Sequence, residues 1–173
     1  ELCATIEKIK EEEEAQRMAE ARAKLLQARA RRVRPGKDDK ILVSWNALTI
    51  QALARAAGVL DRPDYLAAAR RGAEFRLTTL RRDDGRLLHC WRQGHAKIDA
   101  FLDDYAYLIN ALVTLYEADF DEAWIDEAVR LASLVMRHFR DPGAGGFYYT
   151  ADDQESTIAR TKEIFDSSVP GSN

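Results

Sequence analysis

Two stretches of the chain are apolar on almost every side, and each is followed by a stretch that is apolar on one side only. The first, Ile41–Leu60, predicts an interior helix with Ser44 as its N-cap and Gly58 near its end. After Asp61-Arg62-Pro63, the residues Leu66, Ala69, Ala73, Leu77 and Leu80 recur at helical spacing while Arg70, Arg71, Glu74 and Arg76 face away, which predicts an exterior helix. The pattern then repeats. Tyr105–Ala118 is apolar all round, and Asp121 caps a one-sided helix with the stripe Trp124, Ala128, Leu131, Val135 and Phe139. Each pair ends in a turn, at Asp83-Asp84-Gly85 and at Asp141–Gly146, and a short strand follows, at Arg86–Arg92 and at Gly146–Thr150.

Ahead of the pairs, Glu7–Arg34 is one helix with acidic Glu11–Glu14 at its start and basic Arg29, Arg31, Arg32 and Arg34 at its end, matching the helix dipole. Its apolar stripe (Ile6, Ile9, Met18, Leu25, Leu26 and Val33) is narrow, and Pro35-Gly36 stops it. The lysines at 40, 97 and 162 each precede a polar cluster, giving a repeat of roughly sixty residues. A buried helix alternating with a half-buried one is what an α/α toroid requires, because inner helices touch neighbours on all sides. The expected fold is therefore all-α, part of such a toroid, with alternating inner and outer helices and short β-hairpins between pairs. A solenoid of helix pairs is the competing architecture. The expected organisation is residues 1–36 as an outer helix leading into the barrel, and 37–173 as two helical hairpins plus the start of a third, one incomplete domain.

Composition narrows the class. At 173 residues the chain is within the size of one domain, and 46% hydrophobic with 32% charged residues is ordinary for a globular protein. No apolar run approaches the ~20 residues that span a bilayer, so no membrane partner is expected. A net charge of −3, and a basic cluster without interleaved aromatics, argue against nucleic acid. Cys3 and Cys90 have neither metal spacing nor a disulfide framework, and the first residues are acidic without a leader pattern; a cytoplasmic location is expected, in a chain that reads as a fragment.

Four separated segments, KILVSWNALTIQALARAAGVL, AKIDAFLDDYAYLINALVTLYEADFD, GGFYYTADD and KEIFDSSVPGSN, together resemble the YyaL-like, spermatogenesis-associated, thioredoxin-domain-containing proteins. The resemblance runs from about Leu25 to Asn173. It implies a six-hairpin, (α/α)6 barrel related to N-acylglucosamine and cellobiose epimerases and to six-hairpin glycosidases, and a thioredoxin-like domain as partner in the longer chain. Where the family reads Ser-Gly-Asn after the proline, this chain has Gly171-Ser172-Asn173, and Ala47 stands where a glycine is usual.

The candidate chemistry lies at Asp103 and Asp104. Two adjacent carboxylates before a helix with little polar face need more than one cap to explain them. In a toroid, inner-helix entries gather at one end of the funnel, so Trp45, Asn46, Asp103, Asp104, Tyr105, Asp166 and Asn173 are expected to converge there. Acids and amides suit sugar hydroxyls, and aromatic rings suit a pyranose face. The catalytic candidates are Asp103, Asp104 and Asp166, for a glycosidase carboxyl pair or an epimerase acid and base. Trp45, Asn46, Tyr105, His95 and Asn173 are the substrate-binding candidates. Among the histidines, His95 is expected to reach the funnel, His89 to lie in a strand and His138 at a helix end. No nucleotide, zinc or redox motif is present, Gly143–Gly146 is read as a turn, and Asp152, Asp153 and Glu155 do not make a calcium loop. Neither cofactor nor metal is expected. The alternative is a non-catalytic scaffold or protein-binding module for the thioredoxin-like domain. The isolated arc is expected to self-associate through uncovered helix flanks.

Overall fold

The computed structural model describes residues 2–154 and 159–173, with side chains from residue 11 onward. Cys3, Ile6, Ile9 and Glu155 therefore lie outside the described side chains. The chain divides into two units, Glu1–Asp38 and Asp39–Asn173. The first is a single helix, α1 (Leu2–Ala30), which ends four residues earlier than the proline-glycine stop suggests.

The second unit runs β1 (Ile41–Leu42), α2 (Val43–Val59), α3 (Pro63–Thr79), β2 (Leu88–Arg92), β3 (His95–Asp99), α4 (Leu102–Asp119) and α5 (Glu122–His138). The helices form two antiparallel pairs, α2 with α3 and α4 with α5, and the two leading helices α2 and α4 pack side by side. The Trp124, Ala128, Leu131, Val135 and Phe139 stripe of α5 is buried as expected, and the Asp121 side chain accepts a bond from Ala123 N at 3.1 Å as its N-cap.

Helix α4 meets neighbours on several sides and buries half its residues, including Tyr105, Leu108, Leu112 and Leu115. Helix α2 is not buried all round. Val43, Ala47, Ile50, Ala54 and Ala57 face the core, while Trp45 (63% exposed) and Val59 do not, because the main packing partners, α3 and α4, cover the other faces. Gly72 on α3 permits the close approach of these helices, since a Cβ there would lie 3.0 Å from Ile50 Cγ1.

Three local expectations are corrected. Ser44 is not the cap of α2, which starts one residue earlier at Val43 with Leu42 as its N-cap. Arg76 does not face away: it is 6% exposed, on the stripe with Ala69, Ala73 and Leu80. Its Nη1 donates to Gly72 O at 2.7 Å, and burial pulls its pKa down to about 10. Gly146–Thr150 is not a strand but makes one bridge, Arg140 to Phe147. The sheet instead gains β1 and has the antiparallel order β1-β2-β3. Gln93 and Gly94 turn β2 into β3 with φ of 50° and 85°, as a two-residue hairpin of matching twist requires.

Candidate functional site

Helix α4 begins at Leu102, so Asp103 and Asp104 lie within its first turn rather than ahead of it. There they meet unpaired N–H groups and the positive end of the dipole. Asp104 is completely buried. One oxygen accepts from Ser44 N at 2.9 Å, joining the entries of α2 and α4. The other accepts from Phe101 N at 3.0 Å, as the returning bond of a capping box, and stands 2.8 Å from His89 Nδ1 on β2. A carboxylate can only accept, so Nδ1 carries the proton and donates, which leaves Nε2 as the basic nitrogen of the ring. Phe101 packs its ring against the His89 edge at 5.1 Å and stacks on Tyr149 at 5.0 Å.

The titrating groups resolved here are all displaced upward. Burial, followed by the charge of Asp104, pushes Asp103 up to about 6, although its Oδ1 accepts from Asp104 N at 2.9 Å. The bond to Asp104 raises the pKa of His89 against the opposing effect of its burial. Tyr149 is held well above the ordinary phenol value by burial and by Asp103, Glu163 and Asp104, and its hydroxyl bonds to Asp103. Tyr107 is raised by burial and by Asp103, Glu163 and Asp166. A carboxyl that stays protonated toward neutral pH, beside an oriented imidazole, is a proton donor and acceptor pair.

Residues 159–173 run along this ledge without regular structure. Leu102 N donates to Tyr149 O at 2.9 Å, and Tyr149 N to Thr161 O at 2.7 Å, tying α4's entry to the segment. The Tyr107 hydroxyl donates to Pro170 O. Lys162 Nζ is paired with Asp141 at 2.5 Å and donates to Gly145 O at 2.6 Å. Asn173 accepts from Phe147 N at 2.7 Å and donates to Phe147 O and Glu163 O at 2.9 and 3.0 Å.

The structure thus gathers Asp103 and Asp104 but deals differently with the other sequence candidates. Tyr105 is a core residue, 2% exposed; its hydroxyl accepts from Leu87 N at 2.9 Å and its ring packs on Phe139, so it offers a ligand no face. Asn46 donates to Leu42 O at 2.7 Å as a local bond of the α2 entry. Trp45, beside Ser44, presents an exposed indole. Asp166 is exposed and accepts from Gly171 N at 2.7 Å, closing its own loop. Asn173 is the bracket of the 147–173 segment just described. His95 stands exposed at the start of β3, and it is His89, on β2, that stands beside Asp104. Sequence reasoning missed His89 and Glu163. Alternation along β2 put His89 opposite to Cys90, a usable signal; Glu163 has none, because its segment has no period.

Among the described residues, His138, Asp152 and Asp153 bring ligand atoms within 4.8 Å of one another. Their charges are answered within the protein: Arg86 Nη1 holds both oxygens of Asp153 at 2.7 and 2.6 Å, and His138 Nδ1 lies 2.9 Å from Asp152. A groove of about 600 Å³ between the 81–85 turn and α5 is lined by Arg81, Asp84, Val129, Leu134 and Arg137 and by none of the acid–base groups. No helix among the described residues is long and apolar enough to cross a membrane.

No family model matches the chain. Human spermatogenesis-associated protein 20 is 30% identical over 164 residues, covering 87% of this chain and 20% of that protein. The chain therefore spans about a fifth of the curated relative's length. Among solved structures, cellobiose 2-epimerase from Spirochaeta thermophila superposes with a TM-score of 0.60 at 18% identity, over 73% of this chain and 32% of that one. An α-mannanase of Bacteroides thetaiotaomicron gives 0.57 at 17% identity, over 68% and 35%. At such identities the likeness is one of fold: the helix pairs are part of an (α/α)6 toroid.

Proposed function

Because this chain belongs to the family of the spermatogenesis-associated proteins and carries part of an (α/α)6 toroid, we propose that its helix-entry ledge transforms a carbohydrate by proton transfer. The observation that carries the reading is the juxtaposition of Asp103, held protonated to about pH 6, with His89 oriented by Asp104. On an open-chain sugar, His89 Nε2 takes the proton from the carbon beside the carbonyl, and Asp103 gives its proton to the carbonyl oxygen. An enediol results. Return of a proton to carbon, with Asp103 recovering its own from oxygen, restores the carbonyl in an epimer or isomer. Trp45 supplies an exposed ring for the apolar face of the sugar. The solved structures that share this fold include a cellobiose 2-epimerase and an α-mannanase, which supports the reading by analogy.

The scaffold reading has one observation in its favour: three donors on Asp104 join α2, α4 and β2, a complete structural role. Proton NMR of the full-length protein with aldoses, acylated amino sugars and short oligosaccharides in heavy water separates the two. Loss of the proton signal beside the anomeric carbon is expected, with His89→Gln and Asp103→Asn each slowing it by about a hundredfold or more. New reducing ends would replace this chemistry by hydrolysis, and no change in any sugar by the folded protein would overturn the reading in favour of the scaffold.

A further inference from the structure

We propose that Phe101 is a positioning residue for the proton transfer: its ring, backed by Tyr149, sets the plane of the His89 imidazole. The inference deepens the carbohydrate reading above and rests on it. The lone pair of Nε2 lies in the ring plane, so that plane decides the line along which a proton can be taken from carbon. One hydrogen bond does not fix it. The 2.8 Å contact between Nδ1 and Asp104 Oδ2 holds a single atom of the ring. The last torsion of a histidine is broad and roughly two-fold, and an sp² oxygen accepts over a wide range of directions. The His89 side chain is 19% exposed, which keeps it within reach of a ligand and leaves it room to turn.

Phe101 supplies the second contact. Its ring meets the imidazole in an edge arrangement, with centroids 5.1 Å apart and planes at 72°, a geometry in which aromatic rings attract. Its own place is fixed from two sides. The Phe101 N–H donates at 3.0 Å to the same Asp104 oxygen that faces Nδ1, so the phenyl and the imidazole are referred to one atom. On the other side stands Tyr149, stacked on Phe101 at 5.0 Å with planes 7° apart. Tyr149 is itself held at both main-chain groups: its carbonyl accepts from Leu102 N at 2.9 Å, and its N–H donates to Thr161 O at 2.7 Å. The run of rings from Tyr149 through Phe101 to His89 therefore braces the imidazole against the 159–173 segment.

The test measures proton-exchange kinetics of the full-length protein in heavy water, with glucose, N-acetylglucosamine and cellobiose as probes. Phe101→Leu keeps the backbone donor and an apolar side chain but removes the ring. It is expected to lower kcat about tenfold with KM within about twofold, because a misdirected base costs rate rather than binding. Phe101→Tyr, which keeps an aromatic edge, should recover most of the loss. In the wild type, NMR relaxation of the His89 ring carbons should report an imidazole as rigid as the backbone. An unchanged kcat in Phe101→Leu, an effect on KM alone, a loss that Phe101→Tyr does not recover, or a mobile wild-type imidazole overturns the proposal, while exchange by the wild type leaves the carbohydrate reading standing. The relaxation result decides even if Phe101→Leu does not fold. No exchange on any probe by the folded wild type overturns both.

Discussion

Replacing Asp104 by Asn changes one atom and should cost the fold about 3 kcal/mol. The wild-type carboxylate is 0% exposed and accepts on both oxygens, from Ser44 N at 2.9 Å on one side and from Phe101 N and His89 Nδ1 at 3.0 and 2.8 Å on the other. An asparagine has one acceptor oxygen and a donor NH2. If its oxygen serves Phe101 and His89, the amide nitrogen confronts the Ser44 N–H, itself in a residue 2% exposed, and a buried donor is left unmade at about 1–3 kcal/mol. The surviving bonds also lose their charge assistance, which roughly doubles the strength of such contacts. Urea unfolding of the wild type and variant, with an unchanged slope on denaturant, reads the difference directly. A loss below about 1 kcal/mol would refute the reasoning. It would mean that Asp104 does not join the two helix entries and that His89 is positioned by something else. A double cycle with His89→Gln should show coupling near 1 kcal/mol, the share of the dyad itself.

Three further outcomes are expected of the same protein. Asp103 binds its proton up to about pH 6 in the folded state and only to about 3.8 unfolded, so its contribution to stability is full below 3.8 and is lost as pH rises through 6. Asp103→Asn should therefore be nearly neutral at pH 4 and stabilising at pH 8 by about 1 kcal/mol, allowing for screening at a half-buried site; a difference independent of pH would contradict this. Arg76→Met replaces a buried guanidinium that has no anion partner among the described residues by a side chain of similar length, and should raise stability by about 1–2 kcal/mol in denaturant melts, whereas a loss would show that the charge is paired. Ile98 holds φ at +66° on the strand facing His89, a conformation costly for a β-branched residue, and Ile98→Asn should gain about 1 kcal/mol where an unstrained site would lose stability.

Much of the fold is legible in the chain because helix pairs announce themselves by period. The α5 stripe and the Asp121 cap need only local spacing, and both are where that spacing puts them. Arg76 was legible too: it falls three residues after Ala73 and four before Leu80, on the buried face, but its charge argued the other way. Ser44 shows the opposite failure. Its N–H, not its hydroxyl, is what matters, and the partner is sixty residues away. The site divides along the same line. Asp103 and Asp104 stand out because charge at the mouth of an apolar helix is unusual, while His89 enters only when β2 is laid against α4's first turn, a tertiary relation that no period encodes. Asn173 and Glu163 depend on the 159–173 segment, which is held by single side-chain brackets rather than by a repeating pattern.

The central claim is that Asp103 keeps its proton up to about pH 6 beside an imidazole oriented by Asp104. Carbon-detected NMR titration of the Asp103 carboxyl, assigned with Asp103→Asn, measures it. The account predicts a midpoint of about 6, with His89 titrating above its usual 6.5. A midpoint near the ordinary 3.8 would leave Asp103 ionised at every working pH and would remove the acid from the site.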